Sequence, residues 1–160
     1  MKRIALINDV TGYSRCSIAA QLPIISAMGI ECVFVPTAIL SVNTMHPEYY
    51  FDDYTDRMND YIETYKKMKV SFDGIATGFL GSERQIDIVI DFIKTFKKKH
   101  TFVLVDPVMG DHGKLYPTYT TAMQDKMRQL IPYATIMTPN LTELCALLEV
   151  PYPHDIINRD

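Results

Sequence analysis

A chain of 160 residues with 48% apolar and 22% charged side chains has the makeup of one globular domain able to bury a core. Its net charge of −3 offers no general attraction to nucleic acid or an anionic membrane, and no segment reaches the length of a membrane span. Cys16, Cys32 and Cys145 show no CxxC spacing and no partner histidine motif; this argues against a disulfide framework or a zinc site and suits reduced thiols in a cytoplasmic protein.

Taken in chain order, apolar runs of strand length alternate with helical patterns. The start, Met1-Lys-Arg-Ile, lacks the long apolar stretch of a signal peptide, and Ile4 to Ile7 reads as a first strand. A loop from Asn8 to Ser14 leads into a helical pattern carrying Ile18, Leu22, Ile25 and Met28 and ended by Gly29. Pro23 falls inside that pattern and is expected to kink or split it. Cys32 to Val35 is a second strand, and Ala38-Ile-Leu40 a short third one. A polar, tyrosine-rich stretch, His46 to Asp53, precedes a helix to about Met68.

Asp73 to Thr77 is another strand, followed by the turn Gly78-Phe-Leu-Gly81. Ser82 with Gln85 has the spacing of a capping box, and Ile86, Val89, Ile90, Ile93 and Phe96 form the core face of the helix behind it. Lys94, Lys97, Lys98 and Lys99, with His100, close that helix, where cations suit the negative end of its dipole. Thr101 to Val105 reads as a buried strand. Thr121 with Gln124 suggests a capped helix reaching Leu130. Ala134 to Met137 is a strand, and Asn140 (N-cap) with Glu143 (N3) opens a last helix through Leu148. The alternation implies a mostly parallel sheet covered by helices on both faces, whose ligands bind beyond the carboxyl ends of the strands.

Two motifs lie at that edge. Val105-Asp-Pro-Val-Met-Gly-Asp-His-Gly-Lys114 delivers Asp106 and Asp111 from a strand into a Gly-containing loop. Such paired acids suit a hard cation whose remaining ligands are phosphate or water oxygens. The plainer alternative is that Asp106 caps a turn and Asp111 faces solvent. The second motif is Thr138-Pro-Asn-Leu-Thr-Glu143.

Together with the N-terminal strand and its polar loop, these motifs closely resemble the pyridoxal (pyridoxamine) kinase family of ribokinase-like kinases, from Lys2 to about Tyr152. The resemblance implies an α/β/α sandwich and transfer of the γ-phosphoryl of Mg-ATP to the 5′-hydroxyl of vitamin B6. It also implies ATP and Mg²⁺ as cofactors, a small-molecule substrate, and a homodimer as relatives commonly form. Asn8, Thr44 and Phe79 would line the ring site. Asn8 stands where many relatives place serine, and its amide can both donate and accept. Phe79 stands where some carry tyrosine; it could instead simply cover the sheet edge, and Thr44 could form a local turn. Asp106, Asp111, Tyr116, Thr138 and Asn140 would lie near the nucleotide, with Asp111 and Glu143 serving the metal, Glu143 through water. Tyr116 could equally be a loop anchor, and Asn140 and Glu143 also suit helix capping.

There are departures from the family pattern. Ser14 replaces a common glycine, and Met45 follows Thr44 where glycine is usual; both could narrow the ring pocket. The family's Gly-Thr-Gly-Asp motif, which supplies an anion hole and the catalytic aspartate, does not occur among the 160 residues, whose seven glycines all lie at or before Gly113. The expectation is therefore residues 1–160 as the N-terminal portion of one ribokinase-like domain, incomplete at its C-terminal side. No catalytic base is expected within it, since the family's catalytic aspartate would lie beyond Asp160. Hydroxymethylpyrimidine kinase of thiamin synthesis shares the phosphate-side motifs and is the alternative enzyme, although Asn8-Asp-Val-Thr-Gly12 lacks that branch's Gly-Gly run. A remnant fold that binds a ligand or partner without catalysis is the non-enzymatic alternative.

Overall fold

The computed structural model describes residues 1–13 and 15–153. Strand β1 (Arg3–Tyr13) is followed by α1 (Ser17–Ala27) and by β2 (Glu31–Val42), which returns beside β1. Next come β3 (Phe51–Asp53), α2 (Thr55–Lys67), β4 (Gly74–Thr77), α3 (Glu83–Phe96) and β5 (Phe102–Val105). The remainder holds β6 (Gly110–Asp111), β7 (Lys114–Leu115), α4 (Thr121–Arg128), a 3-10 turn (Ile131–Tyr133), β8 (Ile136–Met137) and α5 (Leu141–Leu148). The main sheet runs β3-β2-β1-β4-β5-β8 and is parallel throughout except for the β2–β3 pair. The expected mostly parallel α/β architecture is what forms.

Alternation along the strands divides the core. Ala5, Ile7, Ile75, Val103 and Val105 join Met58 and Ile62 of α2 and Phe92, Ile93 and Phe96 of α3 in one buried cluster. Leu6 points to the opposite face, where α1 packs on β1 and β2 and leaves it fully buried. That second face is covered unevenly. The row Leu6–Ala76–Leu104–Ile136 crosses the sheet, yet Ile136 is 48% exposed and Phe102, two residues before Leu104, 43%.

Several local expectations are corrected. Residues 8–13 are strand, not loop: after an irregularity between Asn8 and Val10, β1 resumes pairing with β2 as far as Tyr13 and Val42. Ser14, the last residue of that expected loop, lies outside the described residues. So does Asp160, the expected limit of the domain portion beyond which the family's catalytic aspartate would fall. The two strands expected around Pro36 are one continuous β2. Pro36 falls before the segment paired with β3, where β2 is an edge and a proline is tolerated. Pro23 does not split α1, which runs unbroken through it. The polar stretch before α2 ends in β3, whose antiparallel pairing with residues 38–40 gives it a strand's backbone despite its composition.

Caps also differ in detail. The Ser82 side chain accepts from Gln85 N, as expected, but the Gln85 side chain does not return to Ser82. It is fully buried. Its Nε2 donates to Thr37 O and Thr55 Oγ1, both at 2.8 Å, and its Oε1 accepts from Gly81 N at 2.7 Å. A residue expected to close a helix end instead ties β2, α2 and the loop after β4 together. The cap of α4 is Thr120, which accepts from Met123 N, one residue before the expected Thr121. That helix ends at Arg128 rather than Leu130 because the chain tightens into the 3-10 turn.

Gln85→Leu keeps the volume but leaves the Gly81 N–H unpaired and strips Thr37 O of one donor. We expect a loss of about 1–3 kcal/mol in urea denaturation. An unchanged midpoint would show that the network contributes nothing to stability.

Candidate functional site

The parallel strands β1, β4, β5 and β8 deliver Asn8, Gly78, Asp106 and Thr138 to one edge of the sheet. A cavity of about 380 Å³ opens there, lined by Asn8, Thr44, Phe79, Asp106 and Tyr116 among others. Five expected site residues from five chain segments thus share one concavity. Its volume is in the range of small-molecule sites.

At one end, Asn8 is held firmly. Its Oδ1 accepts from Phe79 N at 2.8 Å and from Asp9 N at 3.0 Å, and its Nδ2 donates to Gln21 Oε1 of α1 at 3.2 Å. Gly78 explains how the amide fits: a Cβ there would stand 2.4 Å from Asn8 Cγ and Nδ2. Phe79 is anchored through its backbone, its carbonyl accepting from Thr37 Oγ1 at 2.8 Å. Its ring meets Phe51 edge-on at 6.3 Å. Thr44 sits in a turn half-buried, with Met45 82% exposed beside it.

The other end carries the acids. Asp106 is half-buried and its carboxylate makes no hydrogen bond or ion pair among the described residues. Burial holds its carboxyl above its ordinary value. Glu143 is 4% exposed. Its Oε1 accepts from Met109 N at 3.1 Å and its Oε2 from Asn140 N at 2.8 Å. Asn140 Oδ1 in turn accepts from Glu143 N at 2.9 Å, completing a capping box on α5. Burial pushes the Glu143 carboxyl up, the Asn140 and Met109 N–H donors pull it back, and the Asp106 charge raises it again. The expected capping role of Asn140 and Glu143 is therefore real, and Glu143 also fastens the Asp106 loop to α5.

Asp111, Thr138, Asn140 and Glu143 stand beside the cavity rather than in its wall. Asp111 lies in the β6–β7 hairpin, a feature unforeseen in the sequence, which turns through His112 (φ 52°) and Gly113 (φ 77°). Positive φ at both positions is what a tight two-residue hairpin demands. The exposed Asp111 accepts from His112 N at 2.7 Å. Asn140 Nδ2 donates to Gly110 O at 2.8 Å and Gly113 N to Thr142 Oγ1 at 2.8 Å, so α5 grips the hairpin. Exposed Thr138 continues the β5–β8 ladder, its N–H reaching Val105 O at 3.1 Å. Tyr116 senses the whole group: burial first, then the charges of Asp111, Glu143 and Asp106, raise its hydroxyl.

Among the described residues, no three His, Cys, Asp or Glu side chains are grouped to hold a cation by themselves. The unpartnered Asp106 beside Glu143 nevertheless suits a hard cation that arrives with phosphate oxygens. The sequence reading also missed Gln21. It stands three residues after Ile18 and one before Leu22, so a polar side chain interrupting an apolar stripe was its signal.

The comparisons agree with this architecture. The phosphomethylpyrimidine kinase family model matches residues 16–157. The chain belongs to this family, the ribokinase-like group that includes the pyridoxal kinases. A crystal structure of a Bacteroides thetaiotaomicron protein assigned as a phosphomethylpyrimidine kinase, in a form with pyridoxal, is 47% identical and superposes with a TM-score of 0.92 over 94% of this chain and 53% of that one. The pyridoxal kinase from Lactobacillus plantarum is 25% identical, with a TM-score of 0.90 over 100% of this chain and 56% of that one. A pyridoxine/pyridoxal/pyridoxamine kinase from Bordetella avium is 32% identical over 149 residues, which is 84% of this chain and 47% of the relative. The chain thus spans about half the length of these family members.

A carboxyl held above its ordinary value binds its proton more tightly when folded, so ionising it weakens the fold as pH rises through that window. Asp106→Asn removes this penalty and relieves Glu143 as well. We expect the variant to have the higher urea midpoint at neutral pH, with the advantage fading as pH falls toward the ordinary value of 3.8. A pH-independent difference would contradict the electrostatic account.

Proposed function

We propose that the protein is a vitamin B6 kinase: it holds the ring of pyridoxal, pyridoxine or pyridoxamine between Asn8, Thr44 and Phe79 and presents the 5′-hydroxyl to ATP on the acid side. The supporting observation is the shared cavity, whose wall includes Asn8, Thr44 and Phe79 as well as Asp106 and Tyr116. Substrate and phosphate donor must meet in one space for transfer, because phosphoryl transfer depends on positioning and charge stabilisation. The pyridoxal in the Bacteroides crystal form adds support from the relative with 47% identity.

On this reading Phe79 offers an aromatic face to the ring, and Asn8 reads its polar edge. Tyr116, Thr138 and Asn140 lie toward the nucleotide, with Asp106 turning negative charge toward the phosphates through the metal. Asp111 and Glu143 would hold Mg²⁺, Glu143 through water because its oxygens already serve two backbone donors. When bound, Mg²⁺ neutralises phosphate charge as the γ-phosphoryl moves. The same family model names phosphomethylpyrimidine kinase, so hydroxymethylpyrimidine is the second reading, with the ring site as the discriminating feature. Cytoplasmic residence and a homodimer accompany the B6 reading; no described helix is long and apolar enough to cross a membrane.

Absorbance-difference titration should show saturable pyridoxal binding that hydroxymethylpyrimidine competes for only weakly. Formation of pyridoxal 5′-phosphate from pyridoxal and Mg-ATP is the catalytic readout for a chain that also carries the family's Gly-Thr-Gly-Asp segment, which residues 1–160 lack. Tighter binding and phosphorylation of hydroxymethylpyrimidine would favour the second reading. Phe79→Ala should weaken pyridoxal binding about three- to tenfold, the size of an aromatic stacking contribution.

A further inference from the structure

The way Asn8 is hydrogen-bonded limits which rings the cavity accepts. Asn8 Oδ1 takes two backbone N–H groups, Asp9 N at 3.0 Å and Phe79 N at 2.8 Å. Backbone nitrogens can only donate, so this atom must be the amide oxygen, and Asn8 Nδ2 is fixed as the donor. Gly78 keeps the amide in place: any side chain there would collide with it. One Nδ2 hydrogen goes to Gln21 Oε1 at 3.2 Å. That bond uses one lone pair of the Gln21 carbonyl and fixes the direction of the Gln21 amide as well. Gln21 Nε2 has no hydrogen-bond partner among the described residues, and both side chains line the cavity.

We propose that Gln21 is a specificity-determining residue. By turning its carbonyl against Asn8, it presents its unused Nε2 N–H groups to the cavity, which favours heteroaromatic rings that offer an acceptor there. This rests on the ring-binding reading above. A pyridine nitrogen or a phenolate oxygen meets those N–H groups; a ring carbon in the acceptor's place leaves them covered and unpaired. Asp9 is the separate acceptor of the same cavity: its Oδ2 accepts from Thr11 Oγ1 at 2.6 Å. The wall therefore orients a ring as well as selecting it, acceptor toward α1 and donor toward Asp9.

Gln21→Glu is the informative variant. It keeps an oxygen for Asn8 Nδ2 and exchanges the free N–H donors for a second, negatively charged acceptor oxygen. Gln21→Met, which removes both polar atoms, is the companion variant should the carboxylate disturb folding. The probes are pyridoxine, its analogue with carbon in place of the ring nitrogen, and its analogue lacking the 3-oxygen, each titrated against the protein. Wild type should prefer pyridoxine by about tenfold over at least one analogue, and either variant should collapse that preference. A merely structural role for Gln21 would weaken all three ligands together and leave their ratios intact. Preserved ratios in both variants would overturn the proposal while leaving the ring-binding reading standing. Failure of the wild type to bind pyridoxine would overturn that reading and the proposal with it.

Discussion

A parallel sheet imposes one constraint from which the site follows. Its strands all point the same way, so every chain segment leaving a strand does so at the same edge. Here β1, β4, β5 and β8 therefore bring Asn8, Gly78, Asp106 and Thr138 together although they span 130 residues of sequence. Within the main sheet the antiparallel β3 alone departs from this order, at the outer position opposite β8.

The polar groups gathered at that edge are not placed for stability. Asp106 is half-buried without a partner, and its charge also raises the nearby Glu143 carboxyl. Glu143 offsets part of its burial with two backbone donors, and those same bonds bind the Asp106 loop to α5. The hydroxyl of Thr77, at the end of β4, is the one buried side-chain polar atom left without a hydrogen bond among the described residues. Away from this edge the polar groups are satisfied: fully buried Gln85 uses both ends of its amide. The contrast separates a framework optimised for packing from an edge that keeps hydrogen-bonding capacity in reserve.

Coverage of the sheet is equally uneven. α2 and α3 seal one face with Met58, Ile62, Phe92 and Ile93, whereas α1 shields only the β1–β2 side of the other. Phe102 and Ile136 remain open on that second face. The chain also spans about half the length of the three family members described above. The Asn8 end of the cavity does not share this exposure, since Asn8 and Gln21 belong to the β1–β2 side that α1 covers.

The sequence by itself determined the order of strands and helices, the sheet's parallel character and the two motifs at its edge. Hydrophobic period and turn chemistry are local signals and survive in one dimension, as Ile86, Val89, Ile90 and Ile93 illustrate. What only the tertiary structure decided depends on partners distant in the chain. Residues 8–13 become strand because residues 36–42 are there to pair with them, and β3 exists only against β2. Gln85 has the spacing of a cap, yet its amide is drawn inward by Thr37, Thr55 and Gly81. Gln21 is a polar break in an apolar stripe until Asn8, thirteen residues earlier, is held against it. A hydrogen bond fixes the direction of both its partners, and that direction is set by the packing of separate elements rather than by any local pattern.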